Sequence, residues 1–210
     1  MLAGTEPKTA PGEYPHQMKL VRATVGAEYL VRSVPSGGKM WDAGRYLVVE
    51  VAVFPAPGTE ILISESHFRL HINGSKQGIV AQPPGFVAAA AKYPEWERRS
   101  SLEVGGGLGQ AGVVVGRPER VERFPGDPQA TGRLPRAPKA PENDQIPNQE
   151  KADEAVSQAE AIVAAALEAG QVQTVISGVL YFAYAGKMKD LKTIELSYDG
   201  PAGKGRVKLQ

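Results

Sequence analysis

The sequence contains no cysteine, and this absence excludes several kinds of chemistry at once. Without thiols, the chain has no disulfide, no thiolate nucleophile, no zinc–thiolate centre and no iron–sulfur cluster. An excess of charge of one sign is also missing, since 24 basic and 23 acidic residues leave a formal net charge of +1. Nucleic-acid-binding proteins usually carry a concentrated basic excess, so the composition predicts no nucleic-acid partner.

Long apolar runs are absent as well. A membrane-spanning helix needs about 18–20 consecutive apolar residues, and no stretch of this sequence approaches that length. The first residues, MLAGTEPKTAPGEYPHQ, lack the basic and apolar regions of a signal peptide. Their composition predicts a flexible leader over residues 1–17. Such a leader suits a tether after a cleaved signal or lipid anchor in an exported chain, and equally a frayed cytosolic terminus.

Short alternating segments make up much of what is present. In RYLVVEVAVF, residues 45–54, every second residue from Leu47 to Val53 is apolar, which predicts a central strand with one face in a core. Asn73-Gly74 predicts a tight hairpin turn, because a type I′ turn needs positive φ at both central positions. Further strands are predicted within residues 18–33, 60–64, 67–72, 175–184, 192–198 and 205–209. Spaced strands separated by turn signals are typical of an antiparallel β-sandwich.

The middle of the chain differs in character and is interpreted as an insertion over residues 83–170. It opens with a predicted short helix over residues 87–92. Residues 105–147 contain 8 Gly and 7 Pro, a density that favours an extended loop. Apolar residues then recur at three- and four-residue steps, which predicts an amphipathic helix over residues 149–169 that ends before Gly170. Because its apolar stripe is rich in alanine, this helix is expected to lie close against a sheet face or edge.

Two motifs could indicate a phosphate-binding or metal-binding site, but each lacks the surrounding structure that such a site requires. Residues 107–112 match G-x-G-x-x-G, but β-branched residues, Gly116 and Pro118 follow, so no helix can open there to bind a phosphate. His67 and His71 would be about 13 Å apart along a strand, too far to share one metal ion, and their side of the strand is predicted to face solvent. The sequence therefore predicts no catalytic residue, no cofactor and no metal site.

Two sets of residues are candidates for contacting a partner. The aromatic residues Trp41, Tyr93 and Trp96 could line a protein-binding or sugar-binding surface, although such rings more often pin a loop onto the fold. Arg117, Arg120 and Arg123 lie in a stretch, residues 117–139, whose net charge is +3. That stretch could bind an anionic partner, although mixed charge is also typical of a solvated loop.

Two stretches carry a resemblance to a known family. The strand segment YLVVEVAV followed by SHFRL, and the closing GVLYFAYAGKMKDLKTIELSYDGP, resemble the bacterial telokin-like, immunoglobulin-like domain family of unknown function. The similarity covers residues 20–81 and 175–209. It implies an immunoglobulin-like sandwich of the kind often found in exported or lipid-anchored proteins, with no catalytic residues to carry over. The insertion departs from the family pattern.

These observations predict a single immunoglobulin-like β-sandwich domain over residues 18–210, interrupted by the insertion. The predicted function is that of a non-enzymatic binding or assembly module, extracytoplasmic in a bacterium, whose partner is a protein or a cell-envelope component. The alternative is a small-ligand or glycan-binding domain that uses aromatic residues of the insertion. A cytoplasmic location remains the alternative for the compartment.

Overall fold

The computed structural model describes residues 4–93 and 149–210, and the chain in these ranges is mainly β. Two four-stranded antiparallel sheets contain most of the strands. The first sheet has the order β1 (His16–Lys19), β2 (Ala23–Val31), β5 (Tyr46–Pro55), β10 (Ile176–Ala183). The second has the order β12 (Gly203–Lys208), β11 (Ile194–Gly200), β7 (Phe68–Ile72), β8 (Ile79–Val80). Two small pairs complete the set: β3 (Ser33–Ser36) with β4 (Lys39–Asp42), and β6 (Ile61–Ile63) with β9 (Gly170–Val172).

The main core lies between the two sheets, as the alternation predicts. The four residues predicted to face inward on β5 are all fully buried, and on β7 Phe68 and Leu70 are buried opposite them. Leu180 and Phe182 of β10 join Ile194 and Leu196 of β11 in the same cluster. Burial of these side chains is the main stabilising term, about 1.5–3 kcal/mol for each large apolar residue. The mainly β, sandwich-like prediction is therefore confirmed.

Two helices cover part of the outer face of the first sheet. Helix α1 (Pro84–Lys92) has a proline in its first turn and a run of alanines, both of which favour helix. Helix α2 (Gln149–Ala165) packs beside it and, as the alanine-rich stripe predicts, lies against a sheet face. Their buried side chains form an outer cluster with residues of the first sheet and the β3–β4 hairpin. This cluster comprises Val34, Ala43, Tyr46, Val48, Val87, Ala88, Ile162, Ala165, Ala166, Val179 and Tyr181.

The predicted end of α2 is wrong by four residues. The helix stops at Ala165, because the next residues bond to the edge of β10 instead of to the helix. Ala166 forms a parallel bridge with Val179, and the Leu167 N–H donates to the Val179 carbonyl over 3.1 Å. Gly170 is accordingly the first residue of β9 and not a helix-terminating glycine.

The structure differs from the predicted flexible leader, because the N-terminal segment, residues 4–15, lies across the outer face of the first sheet. The ring of Tyr14 is buried over Gly26, which has no side chain to obstruct it. Glu28 and Glu50 face each other across β2 and β5, an arrangement that like charges disfavour. The segment supplies a partner for each of them: Lys8 Nζ lies 2.8 Å from Glu28 Oε2, and the Thr5 hydroxyl donates to Glu50 Oε1 over 2.7 Å.

Turn chemistry explains one success and one failure of the sequence analysis. Asn73 and Gly74 both have positive φ, and the Ser75 N–H donates to the Ile72 carbonyl, so the predicted tight turn is confirmed. The segment PSGGK, which contains no apolar alternation, is interpreted from sequence as a loop. In the structure Gly37 and Gly38, also at positive φ, join β3 to β4 in a hairpin that packs on α2.

Three separate segments bond to the outer edge of β10. The carbonyls of Ser177, Val179 and Tyr181 accept the N–H groups of Thr5, Leu167 and Gln82, respectively. Gly178 makes the middle of these approaches possible, because a Cβ at that position would overlap the Leu167 backbone.

We expect Gly178→Ala to lower the free energy of unfolding by about 1–3 kcal/mol, the usual range for an overpacked site. The added methyl group must push the Leu167 backbone away from β10, which breaks its hydrogen bond. Urea unfolding followed by circular dichroism measures the effect. Gly12→Ala is the matched control, because its Cβ would meet nothing within 4 Å. Equal stability of the two variants would contradict this account of the edge.

Candidate functional site

An open cleft lies where the turn into β5 meets the two helices. It has a volume of about 210 Å³. Its lining residues come from three elements: Ala43, Gly44, Arg45 and Tyr46 from the turn and β5, Val87, Ala90 and Ala91 from α1, and Gln158 from α2. Half of the lining residues are therefore alanine or valine, and the larger side chains are an aromatic ring, a guanidinium and an amide.

Local bonds fix the rim of this cleft. Gly44 has a positive φ, and its N–H donates to the Asp42 side chain over 3.0 Å, which closes the turn before β5. The Gln158 amide donates to the Asp42 carbonyl and so ties α2 to the end of β4. The Arg45 guanidinium lies over the Tyr46 ring, 5.6 Å from its centroid. The Arg45 guanidinium and the Gln158 amide therefore have defined positions on the rim of the cleft.

One face of α1 presents apolar side chains beside the cleft. Phe86 and Ala90 are four residues apart and lie on one side of the helix, and Tyr93 is the residue at which the helix ends. Phe86 is 69% exposed and Tyr93 is 43% exposed. Lys92 Nζ lies 5.5 Å from the centroid of the Tyr93 ring. We call these three residues, Phe86, Ala90 and Tyr93, the α1 stripe.

The residues that sequence analysis singled out fall in different places. Trp41 is half-buried and packs against the outer cluster, where it pins the β3–β4 hairpin. Tyr93 belongs to the α1 stripe. Trp96, Arg117, Arg120 and Arg123 lie outside the described residues, as does the loop predicted over residues 105–147. Neither Trp41 nor Tyr93 is among the residues that line the cleft.

Phe86, Arg45 and Gln158 were not identified from sequence. A signal for Phe86 was available, because its neighbours Val87 and Ala88 have the apolar spacing of a buried face and leave Phe86 on the other side. Arg45 and Gln158 had no such signal. They meet at the cleft only because α2 packs over the turn before β5, a contact between residues more than 100 positions apart.

A second group of polar side chains lies on the opposite side of the sandwich, on the second sheet. His71 is only 4% exposed, so the prediction that it faces solvent is wrong. Its Nε2 lies 2.9 Å from the Ser197 hydroxyl, and its Nδ1 lies 3.0 Å from the Ser75 carbonyl. The residues after Asn73 fold back over the ring, with Gly78 so close that a Cβ would lie 2.9 Å from His71 Cε1.

His67 does not join this group. Its Nδ1 accepts the Ser64 N–H in a capping box, and its ring packs edge-on against Tyr198. No group of three or more His, Asp or Glu residues within residues 4–93 and 149–210 has the geometry to hold a metal ion. In the same ranges, no helix is both long and apolar enough to cross a membrane.

Comparisons with known proteins return no match. No model of a known protein family, no curated protein and no solved structure matches this chain. The interpretation of the site therefore rests on its own geometry.

Tyr181 holds α2 in the position that forms the cleft. Its hydroxyl donates to the Ile162 carbonyl over 2.8 Å in a fully buried environment, and burial raises the pKa of Tyr181 well above its usual value. An unfolded tyrosine ionises near pH 10. Between that pH and its raised folded pKa, Tyr181 is neutral when folded and ionised when unfolded, so its contribution to stability falls as the pH rises.

We expect Tyr181→Phe to lower the free energy of unfolding at pH 7 by about 1–2 kcal/mol, since the Ile162 carbonyl loses its partner. Above pH 10 the difference from the wild-type protein should shrink, by up to about 1.4 kcal/mol per pH unit. Urea unfolding at pH 7, 9 and 10.5 measures both effects.

Val179→Ala is the control for this pH dependence, because it removes contacts from the same cluster without removing an ionisable group. It should lower stability by a similar amount at every pH. A Tyr181→Phe deficit that stays constant from pH 7 to 10.5 would contradict the assignment of the pH dependence to this hydroxyl.

Proposed function

We propose that this protein is a non-enzymatic binding or assembly module that binds a protein partner through the α1 stripe and the adjoining cleft. The observation that carries the proposal is the exposure of Phe86, an aromatic side chain that α1 holds beside a concave apolar surface. Aromatic side chains are enriched in protein interfaces, and the residues that contribute most to binding usually fit into such concave surfaces.

The size of the cleft favours a protein partner. Pockets for small organic ligands usually enclose about 300–1,000 Å³, whereas this cleft has about 210 Å³. That volume suits a single side chain inserted from a partner surface. The side chains of Arg45 and Gln158 line the same cleft and would lie next to such a side chain. The alternative, a glycan-binding site, gains less support, because the Trp41 ring packs into the outer cluster and not along an open sugar platform.

The strand order supports the immunoglobulin-like part of the proposal. Three strands of the first sheet, β2, β5 and β10, correspond in order to strands A, B and E of an immunoglobulin domain. Strands β12, β11, β7 and β8 correspond to G, F, C and C′. The insertion then lies between C′ and E, and its helices form the proposed binding surface. We also propose an extracytoplasmic location in a bacterium, which the family resemblance supports.

A peptide-display selection against the full chain tests the proposed surface. We expect the selected peptides to contain one large apolar anchor residue. Phe86→Ser and Ala90→Arg should each weaken their binding by at least about tenfold, because truncating a central aromatic residue typically costs 2 kcal/mol or more. Fluorescence anisotropy with a labelled peptide measures the affinity.

Val21→Ser is the matched control, since Val21 is also an exposed apolar residue but lies in the turn between β1 and β2. It should leave the affinity unchanged. If Val21→Ser weakens binding as much as Phe86→Ser, the proposed surface is wrong. It is also wrong if the selected peptides bind both α1 variants with unchanged affinity.

A further inference from the structure

The outer face of the second sheet contains a row of three polar residues on three adjacent strands. Ser197 of β11 is directly opposite Arg69 of β7 on one side and Arg206 of β12 on the other. The residues on either side of Ser197, Leu196 and Tyr198, point into the core, so the row points outward. Neighbouring strands are about 4.8 Å apart, and both arginine side chains are long enough to reach a point above the Ser197 hydroxyl.

Arg206 is held in place while most of its donors stay available. One terminal nitrogen lies 3.3 Å from Glu195 Oε2, and the other lies 3.3 Å from His71 Nε2. A guanidinium group has five N–H donors, so three remain after these two contacts. The side chain is 52% exposed. Arg206 is therefore oriented in advance and still has donors that these two contacts do not use.

His71 can accept a hydrogen bond from only one of the two donors that lie near its Nε2. Because a carbonyl can only accept, His71 Nδ1 donates to the Ser75 carbonyl, and Nε2 of a neutral ring must be an acceptor. Nε2 has a single lone pair, yet the Ser197 hydroxyl at 2.9 Å and Arg206 at 3.3 Å both approach it. The other acceptor near the Ser197 hydroxyl, the Arg69 carbonyl, is 3.4 Å away. One of these two donors is thus in excess at the surface.

Arg69 adds a charge that the described part of the chain does not neutralise. Its side chain is exposed, and its guanidinium has no ion pair or hydrogen bond within residues 4–93 and 149–210. On the same face, Lys204 pairs with Asp199 and Arg206 pairs with Glu195. An anion above Ser197 would therefore meet one uncompensated guanidinium, one partly compensated guanidinium and a hydroxyl.

We propose that Arg69, Ser197 and Arg206 form a binding site for an oxyanion, such as a phosphate or carboxylate group of a ligand. Guanidinium groups bind both kinds of oxyanion through pairs of N–H donors. The buried His71 is a positioning residue, because its Nε2 lies within 3.3 Å of both donors and can accept a hydrogen bond from either of them. This site lies on the opposite side of the sandwich from the α1 stripe and does not depend on the function proposed for that surface.

Titrations of the full chain with inorganic phosphate and, separately, with acetate test the site. Amide chemical shifts are followed by NMR at constant ionic strength and pH. We expect saturable shifts confined to β7, β11 and β12. Arg69→Gln should weaken binding by at least about tenfold and Ser197→Ala by several-fold, as expected for the loss of a charged and a neutral hydrogen-bond donor. Tighter binding of phosphate assigns a phosphate group, and equal or tighter binding of acetate assigns a carboxylate group.

Lys204→Gln is the matched control, because it removes the same unit of charge from the same sheet face at an exposed position away from the row. It should change the affinity by less than about twofold, since its contribution is long-range and screened by salt. Equal weakening by Lys204→Gln and Arg69→Gln would show that the anion responds only to the general positive charge, and would overturn the site. Shifts that rise linearly without saturation for both probes would overturn it as well.

Discussion

The edge of β10 is the constraint on which the rest of the structure depends. Strands are destabilised when a row of backbone carbonyls is left without donors, and three segments that are distant in sequence supply the donors here. Thr5 comes from the start of the described chain, Gln82 directly precedes the insertion and Leu167 lies near its end. The chain thus bonds to the same strand just before the insertion and near its end. The helices reach the outer face of the first sheet as a consequence.

This arrangement gives the two sheets different roles. The first sheet is buried on both faces, by the main core on one side and by the helices and N-terminal segment on the other. Its strands accordingly contain consecutive apolar residues, as in Leu47-Val48-Val49, where simple alternation would have placed a polar residue. In β11 and β12 of the second sheet burial alternates, and the residues that face outward are polar or charged. Its outer face is where polar chemistry can meet solvent.

Sequence reasoning succeeded where a single segment determines its own structure, and it failed where distant segments determine it together. The alternation in β5 and the Asn73-Gly74 turn are local signals, and both were interpreted correctly. The end of α2 was missed because the β10 edge, not a capping glycine, terminates the helix. His71 was placed in solvent because alternation cannot show that the residues after Asn73 fold over it. The cleft was missed for the same reason, since α2 and the turn before β5 meet only in three dimensions.

Like charges lie on neighbouring or nearby strands on the outer face of each sheet, and they are compensated differently on the two sheets. Glu28 and Glu50 are neighbours on adjacent strands of the first sheet, and the chain itself provides Lys8 and Thr5 to compensate them. Arg69 and Arg206 flank Ser197 on the second sheet, where Glu195 pairs with Arg206 and no carboxylate within residues 4–93 and 149–210 pairs with Arg69. An uncompensated exposed charge costs little in water, so the second row is tolerated without a covering segment. It is also the row at which an anion from outside can supply what the N-terminal segment supplies to the first.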